Sequence, residues 1–190
     1  MREVKIYFVT GNKHKFREIS KILEEEAPWI SLELIKDIPK VEIQADSLEE
    51  IALFAVENIC RTFQESFIVE EAGLFIDALN GFPGPYSSYV FKTIGCEGIL
   101  KLMRNIDNRG AEFRSVIALY HQGIIKVFRG IVRGAISYEK KGQRGFGFDP
   151  IFIPEGNTKT FAEMTLEEKN AVSHRGKSTR MLIDFLKSIY

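Results

Sequence analysis

The chain has 190 residues, enough for one domain with a substantial core. Its 26 basic and 26 acidic residues cancel, which argues against a surface built to track a nucleic-acid backbone. No apolar run approaches the ~18 residues of a membrane-spanning helix. The N-terminus passes into a short apolar run without the features of a signal peptide. Cys60 and Cys96 stand in no metal-ligand spacing. A cytoplasmic protein with reduced thiols, and with neither a nucleic-acid nor a membrane partner, is the expectation.

In chain order, Ile6-Tyr7-Phe8-Val9 is a β-prone apolar run and Thr10-Gly11-Asn12 breaks it. Phe16, Ile19 and Leu23 recur on one face of a following helix, and 31–35 reads as a second strand. Leu48, Ile51, Ala52, Ala55 and Ile59 mark a second amphipathic helix, with Asp46 or Ser47 as N-cap. Phe67-Ile68-Val69 is a short strand expected to end at two acids. Gly81-Phe82-Pro83-Gly84-Pro85 is a stiff loop, because proline fixes φ and glycine permits unusual turns. A short helix near 97–104 precedes two long β-prone stretches, 113–121 and 124–137, expected to pair antiparallel. The basic residues between Lys126 and Arg144 read as a solvated strand face. Residues 142–150 form a glycine-punctuated loop, and Leu182, Phe185, Leu186 and Ile189 define a C-terminal helix. Strands and helices interleave without strict βαβ regularity, so the expected fold is α/β with a mixed sheet in one domain spanning 1–190.

Four segments combine polar groups with a backbone able to present them. Thr10-Gly11-Asn12-Lys13-His14-Lys15 is a strand, a tight turn and a helix start, an arrangement suited to a phosphate tail. It lacks the Walker A spacing, and an ordinary capped turn explains it equally well. Glu70-Glu71-Ala72-Gly73 follows a buried strand, and alternation sends the two carboxylates to opposite faces, so one of them enters a given site. That carboxylate is suited to hold Mg²⁺, to activate water, or both. Glu42, between Val41 and Ile43, is a candidate second metal ligand. Phe146-Gly147-Phe148-Asp149 offers aromatics to stack a base, bare backbone, and a carboxylate to accept a ring N–H. Lys169, His174 and Arg175 supply donors that would pair with a 6-oxo purine and be left unpaired by adenine. Together these describe a nucleotide site. A nucleotide-binding protein without hydrolysis and an RNA-binding module are competing classes; release of pyrophosphate and a steep salt dependence of RNA binding separate them.

The motif set resembles the inosine-triphosphatase family of non-standard purine nucleotide pyrophosphatases. It runs from T-G-N-x-x-K at Thr10–Lys15 through Glu42, Glu70-Glu71, Gly81-x-Pro83-Gly84-x-Tyr86-Ser87 and Phe146-Gly147-Phe148-Asp149-Pro150 to Glu168-Lys169-Asn170-Ala171-Val172-Ser173-His174-Arg175. The resemblance implies an elongated mixed sheet with two lobes around a central groove and a homodimer. It also implies Mg²⁺-dependent hydrolysis of inosine, deoxyinosine or xanthosine triphosphate to the monophosphate and pyrophosphate. Thr10, Asn12 and Lys15 would hold phosphates, and Glu42 and Glu71 the metal, with Glu71 also the proton acceptor. Phe146 to Asp149, with Lys169, His174 and Arg175, would clamp the base. Two positions depart from the family pattern: Glu71 stands where it has Asp, and Ala72 where it has Ser or Thr. A related Maf-like pyrophosphatase is the neighbouring alternative.

Overall fold

The computed structural model describes residues 3–190; Met1 and Arg2, which opened the segment read above as lacking a signal peptide, lie outside them. Among the described residues seven strands form one mixed sheet in the order β2-β1-β3-β5-β6-β7, with β4 paired to β3. Strands β1 (Val4–Val9), β2 (Ile30–Ile35) and β3 (Phe67–Ile76) run parallel, while β5 (Gly110–His121), β6 (Ile124–Ile136) and β7 (Phe152–Pro154) add antiparallel. Six α-helices accompany them: α1 (Lys13–Glu26), α2 (Leu48–Ile59), α3 (Ser87–Thr93), α4 (Gly95–Leu102), α5 (Leu166–Val172) and α6 (His174–Ile189). No helix among the described residues is long and apolar enough to cross a membrane.

The expected elements are present, with two changes of extent. Strand β3 does not stop at its acids but runs ten residues through Glu70 and Glu71, because β5 pairs with it rung by rung to Ile76. The Gly81–Pro85 loop contains a two-residue strand, β4 (Pro83–Gly84), and leads into α3, which has too few apolar repeats to be read from sequence. The basic stretch lies on an outward strand face only up to the end of β6, where Arg129 pairs with Glu49, and Arg133 with Asp77 and Glu112; Lys140, Lys141 and Arg144 lie in the loop that follows.

The long strands carry separate cores. On one face, Ile68, Ile117, Leu119 and Phe128 pack under α1 and α6, whereas further along Leu74, Ile76, Phe113 and Val132 pack with Phe152 and Phe161. The opposite face buries Phe67, Val69, Val116 and Ala118 beneath α2. Between the first two clusters the rungs turn polar or small, at Glu70, Ser115 and Gly130. The first turn of α6 fills that seam. A Cβ on Gly130 would lie 1.9 Å from the carbonyl oxygen of His174, so only glycine lets helix and strand backbones approach this closely.

Candidate active site

The order β2-β1-β3 makes the gap between β1 and β3 a topological switch point, where α/β sheets bind ligands beyond the strand ends. Pairing of β1 with β3 ends at Phe8 and Ile68, and Thr10–Lys15 and Glu70–Glu71 come immediately after. Asn12 caps α1: its Oδ1 accepts from the N–H of His14 (2.9 Å) and of Lys15 (3.2 Å), while Thr10 Oγ1 accepts from the N–H of Asn12 (3.1 Å). Two helix N–H groups expected to be free for an anion are therefore already satisfied. What remains is the open backbone at Gly11, where a Cβ would meet nothing within 4 Å, and the ammonium groups of the helix start.

Behind this turn lies a row of six alternating charges. Asp149 Oδ2 is 2.6 Å from Lys169 Nζ, which is 2.6 Å from Glu18 Oε1. Glu18 Oε2 accepts from Arg175 Nη1, and Arg175 Nε donates to Glu70 Oε1 at 3.1 Å. Glu70 Oε2 closes the row 2.8 Å from Lys15 Nζ, an ion contact outside hydrogen-bond angle, since that ammonium donates to the Glu70 carbonyl at 2.9 Å. Ser115 Oγ donates a further bond to Glu70 Oε1. All six side chains are buried except Lys15, which is 14% exposed. Burial alone would raise the carboxyl of Glu70, but the charges of Arg175 and Lys15 outweigh it and hold the group well below the usual range. Glu18 is lowered likewise, by Arg175 and Lys169 against its own desolvation. Asp149 is raised: burial and the neighbouring Glu18 outweigh Lys169.

The strand alternation holds for the paired acids. Glu70 points into the row, and Glu71 projects from the opposite face of β3, where its Oε1 lies 2.6 Å from Lys40 Nζ. The same ammonium is 2.8 Å from Glu42 Oε1, so the β2–α2 loop does bring the two proposed metal carboxylates to one cation. A positive charge shared between acids of two separate segments shows that this pair fits a cation. Among the described residues no third His, Cys, Asp or Glu joins them. A two-carboxylate site suits Mg²⁺, which takes few protein ligands and completes its shell with phosphates and water. Ala72 faces Ser115 across the ladder.

The base-clamp residues separate into two groups. Phe146 is half-buried, and the exposed His14 ring stacks on it with centroids 5.1 Å apart and planes 18° from parallel. Phe148, expected as a second stacking ring, is instead 2% exposed and meets Phe91 edge-on at 5.4 Å, so it is a core residue. Asp149 anchors the loop by accepting the N–H of Phe146 at 2.9 Å. Gly147 holds a positive φ of 62° in the same loop. His174 and Arg175, expected as donors to a 6-oxo purine, are both buried. The His174 ring is 2% exposed, stacks on Phe113 at 4.7 Å and leaves Nδ1 buried without a partner. Burial, then the charges of Arg175 and Lys169, push its pKa well below the ordinary histidine value. Arg175 commits Nε and Nη1 to carboxylates, and Lys169 bridges two. A cleft of about 1030 Å³ runs beside this group, lined by His14, Glu18, Gly145 and Lys169 among others.

Sequence reasoning missed Glu18 and Lys40. Glu18 had a signal: it stands among Ile19, Ile22 and Leu23 in the buried stripe of α1, where an acid needs a partner. Lys40 had none beyond lying two residues before Glu42.

Residues 6–185 match the family model described as "Ham1 family". A dITP/XTP pyrophosphatase of Hyperthermus butylicus is 50% identical over 182 residues, covering 96% of this chain and 94% of its own. A dITP/XTP pyrophosphatase of Pyrococcus horikoshii is 50% identical over 184 residues, 97% of each. The solved structure of the Staphylococcus aureus Ham1 protein superposes with a TM-score of 0.85 at 30% identity, covering 98% of this chain and all of that one. The chain belongs to the Ham1 family.

Proposed function

We propose that this chain clears non-canonical purine nucleoside triphosphates, those of deoxyinosine, inosine and xanthosine, by hydrolysing them to the monophosphate and pyrophosphate. It is a nucleoside triphosphate pyrophosphatase, a member of the Ham1 family whose relatives at about 50% identity carry that activity in their names. The observation that carries the site reading is the adjacency at the β1–β3 switch point. The Thr10–Lys15 turn and the Phe146 loop are linked there by one row of buried charge, and the Glu42–Glu71 pair lies on the other side of β3 from Glu70.

In this reading Gly11, Lys13, the Asn12 amide and Lys15 receive the phosphates. Glu42 and Glu71 would hold Mg²⁺, which would supply charge to neutralise the phosphates. Glu71 accepts the proton of the water whose oxygen bonds to the α-phosphorus; the α–β bridging P–O bond breaks and its electron pair leaves with pyrophosphate. Lys15 offsets charge growing on that leaving group. Phe146 supplies the stacking face, while Lys169, His174 and Arg175 fix the polarity of the wall against which a 6-oxo group is read. We further take the chain to be one domain with two lobes that works as a homodimer in the cytoplasm. Phe82, Tyr86, Tyr89, Phe91 and Ile94 crowd one short segment with exposed apolar surface, which supports self-association. Both cysteines are free, which fits a reducing compartment.

The test is pyrophosphate release from deoxyinosine, xanthosine, guanosine and adenosine triphosphates with Mg²⁺. Strong preference for the first two is expected. Equal rates on all four would overturn the base preference, and tight binding without release would overturn hydrolysis.

A further inference from the structure

Lys40 belongs to none of the roles above, yet it sits at their centre. Its side chain is 17% exposed, turned inward from an otherwise solvent-facing loop, and its ammonium touches carboxylates from two segments at once. Lysine seldom gives up hydration unless a partner compensates, and here two acids do so. The arrangement leaves one negative charge unbalanced, because two carboxylates face one ammonium. A divalent cation at the same point would balance both, but it cannot share the point with an ammonium of like sign. The other nearby ammonium, that of Lys15, is already held by Glu70.

We infer that Lys40 is a resident counter-cation of the Glu42–Glu71 pair, occupying the metal position in the nucleotide-free protein and yielding it when a divalent cation arrives with substrate. The inference rests on the reading of Glu42 and Glu71 as metal ligands. The carrier is suited to such an exchange: residues 36–45 have no helix or strand hydrogen bonding, and Val41 beside Lys40 is exposed. Phosphates entering with the metal give the displaced ammonium a new anionic partner, so the lysine moves from carboxylate to phosphate without losing its counter-charge. Free metal should consequently bind the empty protein weakly and bind well only as the nucleotide complex. Before substrate enters, Lys40 would keep Glu42 and Glu71 close together despite their like charge, so that the pair is already assembled.

The experiment is Mn²⁺ binding to nucleotide-free protein, followed by electron paramagnetic resonance of the unbound ion. It compares wild type, K40M, K40R and E71Q, together with the K40M/E71Q double variant. K40M keeps the aliphatic stem and removes the charge; it should bind Mn²⁺ at least tenfold more tightly than wild type. K40R should remain as weak as wild type, and adding E71Q to K40M should abolish the gain. If K40M binds no more tightly than wild type while E71Q weakens both, Glu71 holds the metal but Lys40 does not guard it, and the inference fails alone. If E71Q alters Mn²⁺ binding in neither background, the metal lies elsewhere, and the assignment of Glu71 fails together with the inference.

Discussion

Side chain by side chain, the substitutions worth making differ from those the sequence alone would recommend. Arg175→Ala is the natural probe of a base-reading donor, but here it would take a buried counter-charge from two carboxylates at once, leaving Glu18 to Lys169 and Glu70 to Lys15. That costs about 3–5 kcal/mol, and urea unfolding should show the loss before any assay of specificity. Phe146→Ala is cleaner, because the ring is half-buried and uncharged: it stacks on His14 and meets Lys169 and Arg175 only through its face, at 5.1 and 5.5 Å. Losing a stacking face worth about 1–3 kcal/mol should raise KM for deoxyinosine triphosphate roughly tenfold or more while Tm changes little; an unchanged KM would remove Phe146 from the base site. Glu71→Gln should lower kcat by about 10²–10⁴-fold with nucleotide binding retained, as expected for loss of a proton acceptor. Retained turnover would move that role elsewhere. The acids, the helix-start turn and the aromatic loop were all legible as residue types. Their partners were not, because Glu18 and Lys169 are 151 positions apart and meet only through the packing of α1 on α5 and α6. The place of Phe148 was not legible for a related reason: nothing in an F-G-F motif says which ring faces a cleft and which faces Phe91.

Elements explain why the site lies where it does. Apolar patterning gave β1, α1, α2, the β5–β6 hairpin and the C-terminal helix, since β1 holds an unbroken apolar run and the others carry longer apolar patterns. It did not give the continuation of β3 through its acids, which depends on the pairing of Glu70 with Ile117 and Glu71 with Val116 across the ladder. Nor did it show that α6 begins inside the protein: Ser173 caps it by accepting the N–H of Gly176 at 3.0 Å, as a surface helix start would, yet its first turn is buried. The contact that sets this depth is backbone on backbone at Gly130. Gly130→Ala should push α6 off β6, costing about 1–3 kcal/mol as overpacking does, and should shift Arg175 away from Glu70. A fall in Tm accompanied by a larger fall in kcat/KM is the expected pattern; wild-type values of both would show that α6 tolerates displacement. Gly145 has a related role in the loop, since its φ is +71° and a side chain there would run into the Asp149 carboxylate.

Taken whole, the molecule ties two cores on one sheet together through charge rather than through grease, and its acid response should follow. His174 is buried with its pKa well below 6.5, so unfolding below that pH takes up a proton that the folded state refuses. Glu18 and Glu70 are lowered from 4.5, so the stability they contribute is present above that pH and is lost as pH falls further. Asp149 is raised and works in the opposite sense, but it is one group against three. Thermal stability should therefore weaken below about pH 6.5 and more steeply below 4.5; a flat Tm down to pH 3.5 would contradict the charge assignment. The mixed sheet was foreseeable from the mixture of strand and helix signals, whereas this wiring was not, because a sequence with zero net charge does not say which acid meets which base. The alternation also has a bearing on redesign. Each member of the row answers for its neighbour's charge, so single substitutions there act as breaks, and tolerated change would come only as matched pairs of opposite sign. The His14–Phe146 stack borders that row: neither ring is in an ion pair, but Phe146 lies 5.1 Å from the Lys169 ammonium and 5.5 Å from the Arg175 guanidinium, whereas His14 is exposed. On the proposal that Phe146 is the stacking face, a laboratory seeking to retune the accepted base would begin at His14, the exposed ring of the pair, and leave the charged wall behind Phe146 untouched.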